Sequence, residues 1–151
     1  MNINDSAGMK AHPSGQWGAG DFAGLQGRVL LVEDNPVNQQ VALRMLQKFG
    51  LEVVVAEDGV KGFQAVKDDA FNLVLMDLQM PEMDGFECTQ AIRDWETEQG
   101  RGPMPIVALT ANAMAGDRER CLDAGMNEHL AKPVTRQTLY NMVSRWLPEA
   151  D

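Results

Sequence analysis

Three carboxylates, one hydroxyl and one amine stand in this chain at positions from which they could act together: Glu33, Asp34, Asp77, Thr110 and Lys132. Each follows or closes a short apolar run: Glu33-Asp34 the first, Asp77 the third, Thr110 the fourth and Lys132-Pro133 the fifth. Like charges gathered within a few ångströms repel unless something neutralises them. Lys132 supplies one positive charge and leaves the group anionic. A hard divalent cation completes the balance, and Mg²⁺ normally takes only one or two protein carboxylates while keeping waters. Asp34 and Asp77 suit direct ligation, and Glu33 suits contact through water. A cation with open positions accepts phosphoryl oxygens, and a neighbouring carboxylate can attack phosphorus to give an aspartyl phosphate. Lys132 would pair with that phosphoryl group as a point charge, and Thr110 would hydrogen-bond it. A lone Asp at such a turn is usually a helix N-cap, and the bland alternative is an ion-pair cluster on a loop edge. Five groups from four run ends argue against it.

The elements between these residues alternate. Val29–Val32, Val53–Val55, Phe71–Met76, Ile106–Leu109 and His129–Ala131 read as strands, Val29–Val32 apolar throughout, as strands covered on both faces are. Between them lie helical stripes. The first begins at Pro36, carries Val37, Val41, Met45 and Phe49, and stops at Gly50. The others are predicted over Gly59–Lys67, Gly85–Trp95, Ala113–Ala124 (closed by Gly125) and Arg136–Leu147, the last with Thr135 as N-cap. Thr97–Pro103 reads as a loop. Five βα repeats require right-handed crossovers and a parallel α/β sheet with helices on both faces. In such sheets ligands bind beyond the C-terminal strand ends, where the five polar groups fall. Residues 1–26, rich in Gly, read as a flexible tail or linker, leaving 27–148 as one domain.

Composition excludes several classes. At 151 residues and 44% apolar content the chain supports one globular core. Thirteen basic against 22 acidic residues give a net charge of −9 and a pI near 4.6. With no basic patch, direct nucleic-acid binding is not expected. No apolar run is long enough to span a bilayer and Met1–Lys10 has no signal-peptide core. Cys88 and Cys121 show no metal or redox spacing and read as reduced core thiols of a cytoplasmic protein.

Four blocks, Val32-Glu33-Asp34-Asn35-Pro36, Met76-Asp77-Leu78-Gln79-Met80-Pro81-Glu82-Met83-Asp84-Gly85, Leu109-Thr110-Ala111 and Ala131-Lys132-Pro133, resemble in content and order the signatures of the receiver domain of two-component response regulators. The resemblance covers about residues 27–147. It implies a (βα)₅ flavodoxin-like sheet of strand order 2-1-3-4-5. It also implies Asp77 as phosphoacceptor, Glu33 and Asp34 as the acidic Mg²⁺ pocket, and Gln79 as donor of a backbone carbonyl to the metal. Thr110 is then the switch hydroxyl and Lys132 the phosphoryl contact, and a cis Lys132–Pro133 bond is common in the family. Asn35-Pro36-Val37-Asn38-Gln39, Thr110-Ala111-Asn112-Ala113-Met114 and Gly125-Met126-Asn127-Glu128-His129-Leu130 resemble receivers of hybrid sensor histidine kinases, which exchange phosphate with histidine-phosphotransfer (HPt) proteins or domains. The expected partners are therefore a histidine kinase, an HPt protein, or both. The chain is either a receiver from a longer hybrid kinase or a free-standing regulator, with no DNA-binding output, and a self-phosphorylating phosphoacceptor rather than an enzyme in the ordinary sense.

One position departs from the pattern. Where the family often has Tyr or Phe three residues before the lysine stands His129, either a source of mild pH dependence or a partly exposed strand residue without a switching role. The start of the first helix, with Val37, Asn38 and Gln39, is expected to dock the donor. The face of the fourth helix, fifth strand and fifth helix is expected to change with phosphorylation. Met80 and Met83 read as packing. Three rival readings are weaker. Aspartate-nucleophile phosphatases place an acid two residues after the nucleophile, where this chain has Gln79. A flavin site on this fold needs a phosphate loop after the first strand, and Glu33-Asp34 would repel the phosphate. A receiver that binds partners without being phosphorylated would not need all five groups.

Overall fold

The computed structural model describes residues 24–111 and 117–147. Ten elements alternate in the order β1 (Arg28–Val32), α1 (Pro36–Lys48), β2 (Glu52–Ala56), α2 (Gly59–Asp68), β3 (Leu73–Asp77), α3 (Gly85–Gln99), β4 (Ile106–Thr110), α4 (Asp117–Asp123), β5 (Glu128–Ala131) and α5 (Arg136–Trp146). All strand pairs are parallel and their order is β2-β1-β3-β4-β5. The expected α/β fold and strand order are those observed.

Successive strand residues point to opposite faces, and here each face has its own core. Val29 and Leu31, Leu73 and Leu75, and Val107 and Leu109 pack against Ala42, Leu46 and Phe49 of α1 and its cap, and against Leu139, Tyr140 and Val143 of α5. Leu30 and Val32, Val74 and Met76, and Ile106 and Ala108 pack against Val66 of α2, Cys88 and Ile92 of α3, and Cys121 of α4. Burial on both sides explains why the three central strands are apolar without alternation. Both cysteines are free and buried, and burial pushes the Cys88 thiol up to about 12.

Helix starts follow local chemistry. Asn35, Asp58, Asp84 and Thr135 are N-caps, each accepting backbone N–H groups of the first turn, and Asp84–Glu87 and Thr135–Thr138 form reciprocal capping boxes. Three boundaries differ from expectation by more than one residue. β3 begins at Leu73 instead of Phe71, because Asn72 is committed to β1, its backbone N–H donating to Arg28 O (2.8 Å) and its Oδ1 accepting from Arg28 N (2.8 Å). α3 runs four residues beyond Trp95, through half of the expected loop, and ends at Gly100 in the left-handed conformation (φ 68°). Its last turn is held by Glu96, a buried carboxylate that accepts from Arg93 Nη1 (2.7 Å) and from Met104 N (2.8 Å). Arg93 also donates to Gly125 O (2.8 Å) and Asn127 Oδ1 (3.0 Å), and Asn127 Oδ1 accepts from Ile106 N (2.8 Å). This network ties α3 to the starts of β4 and β5. The expected first residues of α4, Ala113–Gly116, lie outside the described residues.

The third difference is at the chain's entry. Leu25, assigned by sequence to the 1–26 tail, is 4% exposed and belongs to the α1–α5 core. Its N–H donates to Phe49 O (3.0 Å), and its own carbonyl lies so near Gly50 (φ 100°) that a Cβ there would sit 2.7 Å from it. The docking of Trp17 and Phe22 lies outside the described residues.

At the far edge of the sheet β5 is clasped. The Glu128 carboxylate accepts from Arg118 Nε of α4 (3.0 Å), and Arg145 Nη1 of α5 lies 3.9 Å from it. Leu25→Ala should remove about 2–4 kcal/mol of stability, read as a lower urea midpoint; an unchanged midpoint would place Leu25 outside the cooperative unit.

Candidate functional site

The register sets the C-terminal strand ends side by side. Val32 pairs with Met76, Asp77 with Leu109, and Thr110 with Ala131. The loops that leave these ends carry Glu33, Asp34 and Lys132, so all five sequence-predicted side chains border one edge. Glu33, Asp77 and Thr110 are buried, Asp34 is exposed and Lys132 is half-buried. Carboxylate oxygens of Glu33, Asp34 and Asp77 lie within 4.8 Å of one another.

Lys132 bridges the buried pair. Its Nζ lies 2.9 Å from Glu33 Oε1 and 3.2 Å from Asp77 Oδ1. The backbone of Lys132 is tied to β4, its N–H donating to Thr110 O (2.7 Å); the Lys132–Pro133 bond is cis. Glu33 is fixed by the start of α1: Asn35 N donates to Oε2 (3.2 Å) and Gln39 Nε2 donates to the Glu33 carbonyl (2.6 Å). Asp77 Oδ1 accepts from Gln79 N (3.4 Å). Behind it Gly85 lets α3 begin against the strand end, where a Cβ would sit 2.4 Å from Asp77 O.

The two buried carboxylates ionise unequally. Burial works against the charge on Glu33, but hydrogen bonds from Lys132 and from Asn35 N–H outweigh it and hold this carboxyl below the usual range. For Asp77 burial dominates, the neighbouring Glu33 adds to it, and Lys132 offsets only part, so its pKa rises to about 6. Lys132 loses some basicity to burial and gains more from Glu33 and Asp77, ending above its ordinary value. Three acidic groups around one amine form a hard-oxygen donor set with an uncompensated negative charge, which fits a small divalent cation and does not fit a soft metal.

Gln79 is exposed, Met80 is buried and Met83 packs at the edge of the same core. His129 stands opposite Ala108 in β5, one-fifth exposed, with Nδ1 3.5 Å from Glu128 Oε1. Asn112 lies outside the described residues. Sequence reasoning missed two supports. Gln39, grouped with the docking end of α1, is half-buried and turned to Glu33, a return legible in its spacing of four from the cap Asn35. Arg120 lies 4.8 Å over the Phe86 ring and lines the same cavity of about 520 Å³ as Asp77, Gln79 and Thr110.

Known proteins resemble this chain in sequence and fold. The response regulator receiver domain family matches residues 29–144. A sensor protein of Pseudomonas syringae, GacS, is 47% identical over 119 residues, 79% of this chain and 13% of its own length; the chain thus spans about an eighth of that curated relative. The receiver domain of a sensor histidine kinase from Pseudomonas aeruginosa, crystallised with magnesium coordinated in its active-site cleft, superposes with a TM-score of 0.71 at 44% identity, over 82% of this chain and 98% of that one. A Saccharomyces cerevisiae co-crystal structure of the histidine phosphotransfer protein Ypd1 with the receiver domain of the response regulator Ssk1 gives a TM-score of 0.78 at 33% identity, over 82% and 90%.

The unequal ionisation has a measurable sign. Asp77 holds its proton more tightly folded than unfolded, so the stability it contributes is full below about pH 4 and is lost as pH rises through about 6. With chelator present, Asp77→Asn should therefore be more stable than the parent at pH 7 by about 1–3 kcal/mol. The gap should close toward pH 4 in urea titrations. A gap that is absent at pH 7 would contradict the repulsion described.

Proposed function

The chain belongs to the response regulator receiver domain family of two-component signalling, and from that premise we propose that Asp77 is the residue phosphorylated. The observation that carries the proposal is the burial of Asp77 beside Glu33 with the Lys132 amine bridging the two. Glu33, Asp34 and Asp77, with the backbone carbonyl of Gln79, would hold Mg²⁺. When bound, the ion neutralises the carboxylates and the oxygens of an incoming phosphoryl group.

The chain's own residues supply the rest. An ionised Asp77 oxygen attacks phosphorus in line. The bond from phosphorus to the donor's imidazole nitrogen breaks, its electron pair stays on that nitrogen, and the product is an aspartyl phosphate. Lys132, already 3.2 Å from Asp77, pairs with the transferred charge, and Thr110 donates its hydroxyl to a phosphoryl oxygen. Movement of Thr110 toward that group is the step proposed to alter the α4–β5–α5 face, where Glu128 links Arg118 and Arg145. The role is relay of a phosphoryl group and not turnover of a substrate, since Gln79 offers no acid to protonate a leaving group.

The donor is proposed to be a histidine kinase or an HPt protein, docking on α1. Val37 is 70% and Val41 45% exposed there, and with Arg44, Lys48 and Arg136 they line an open groove of about 760 Å³ between α1 and α5. An apolar strip rimmed by basic side chains suits an amphipathic helical partner with acidic flanks. The Ypd1–Ssk1 co-crystal structure, a receiver bound to its phosphotransfer protein, supports that class of partner. No helix among the described residues is long and apolar enough to cross a membrane, and the two buried free thiols accord with a cytoplasmic location. The receiver is proposed to span residues 27–148, with Leu25 of the preceding linker seated in its core.

Incubation with acetyl phosphate and Mg²⁺ should add one phosphoryl mass to the intact chain. Asp77→Asn or chelator should abolish it, and Lys132→Ala should lower it at least tenfold; an adduct that survives Asp77→Asn would move the phosphoacceptor elsewhere. Val37→Glu should slow transfer from a phosphorylated HPt protein without slowing labelling by acetyl phosphate. Equal slowing of both would remove the docking role of α1.

A further inference from the structure

Of the three acids at the site, Asp34 has the least to hold it. Glu33 and Asp77 are buried and bridged by Lys132. Asp34 is exposed, and among the described residues its carboxylate has no hydrogen-bond or ion-pair partner. Yet one of its oxygens lies within 4.8 Å of oxygens of the other two. Its position is therefore set by its backbone, in the turn Glu33–Asp34–Asn35 that joins β1 to α1. Gln39 holds that turn on both sides of Asp34. Its backbone N–H donates to Asn35 O (2.9 Å), and its side-chain Nε2 donates to Glu33 O (2.6 Å). Only the NH₂ end of an amide can serve a carbonyl, so the orientation of this side chain follows from its partner. A third bond closes the turn, from Asn35 N to Glu33 Oε2 (3.2 Å).

We infer that Gln39 is a positioning residue for the cation: by clamping the Glu33 and Asn35 carbonyls it holds Asp34 beside Glu33 and Asp77, and so raises the affinity of the site for Mg²⁺. The inference rests on the proposed reading of Glu33, Asp34 and Asp77 as the ligand set. The physical reason is preorganisation. A loose turn would have to be ordered at the moment of binding, and fixing the backbone of one residue costs entropy equivalent to a factor of about ten in an equilibrium constant. Partners that orient metal ligands without touching the metal have effects of that size or larger. Gln39 also stands at the donor-docking end of α1, but it is half-buried and its Nε2 is engaged with the turn. The two roles have different consequences. A docking residue acts on protein donors alone. A positioning residue acts on every donor that needs the cation, and ceases to matter when the cation is saturating.

The test titrates the chelator-stripped chain with Mg²⁺ alone by isothermal titration calorimetry. Gln39→Met keeps the length of the side chain and removes its N–H donor, and should weaken Mg²⁺ binding about tenfold. Gln39→Asn, whose amide is one methylene too short for the Glu33 carbonyl, should weaken it likewise. Gln47→Met, the same change at an exposed position of the same helix, should leave it unaltered. In labelling by acetyl phosphate, Gln39→Met should raise the Mg²⁺ concentration for half-maximal rate by the same factor, while the rate at saturating Mg²⁺ equals the parent's. Transfer from a phosphorylated HPt protein should follow the same Mg²⁺ dependence. Equal Mg²⁺ affinity in the parent and both Gln39 variants would overturn the inference, as would a loss confined to HPt transfer, which would make Gln39 a docking residue. A parent chain that binds no Mg²⁺ would instead overturn the ligand set, and this inference with it.

Discussion

The structure depends on one electrostatic compromise: two carboxylates, Glu33 and Asp77, are buried against each other and a single ammonium group stands between them. Burying a charge is costly unless it is paired, and here three ionisable groups share two contacts. The compromise is resolved unequally. Glu33 receives an additional N–H from Asn35 and keeps its charge, while Asp77 is left with the weaker set and a pKa near 6. A carboxylate left short of partners is the one with most to gain from a cation or a phosphoryl group, so the asymmetry itself separates the anchoring acid from the reactive one.

The rest of the fold supplies the positions for that arrangement. A parallel sheet brings strand ends together at one edge, and burial on both faces fixes the register, because a slip of one residue would exchange the two cores. Gly85 permits α3 to start directly behind Asp77, and Asn35 both caps α1 and binds Glu33, so the same turn that begins a helix orients an acid. The opposite end of the sheet is fixed by different means: Arg93, Glu96 and Asn127 satisfy one another and the Ile106 and Met104 amides. A satisfied network there keeps β4 and β5 aligned while their other ends carry Thr110 and Lys132.

Much of this was legible from residue order. The unbroken apolar runs marked strands with two covered faces, Gly50 and Thr135 marked helix ends, and the acids at the run ends located the edge where they meet. What escaped were features whose cause lies far off in the chain. Leu25 stands alone among glycines, with no periodicity to announce it, and is buried only because Phe49 and Gly50 return beside it. The last turn of α3 is polar and reads as loop; it is helical because Glu96 finds Arg93 nearby and Met104 across the turn. Arg120 has the spacing of a solvated helix face, and only the crossing of α4 over Phe86 turns it toward the cavity.

β5 is four residues long, lies at the edge of the sheet, and is gripped from both sides through Glu128 by Arg118 and Arg145. An edge strand exposes unpaired N–H and C=O groups and is a template on which a foreign strand can add. Shortness and crossing charged side chains make this edge a poor template. That matters for a module which, in a relative such as GacS, occupies about an eighth of a much longer polypeptide. Sheets concatenated on one chain experience one another at high local concentration, and a clasped edge lets such a unit stay a separate folding body, meeting its neighbours through side chains and not by merging backbones.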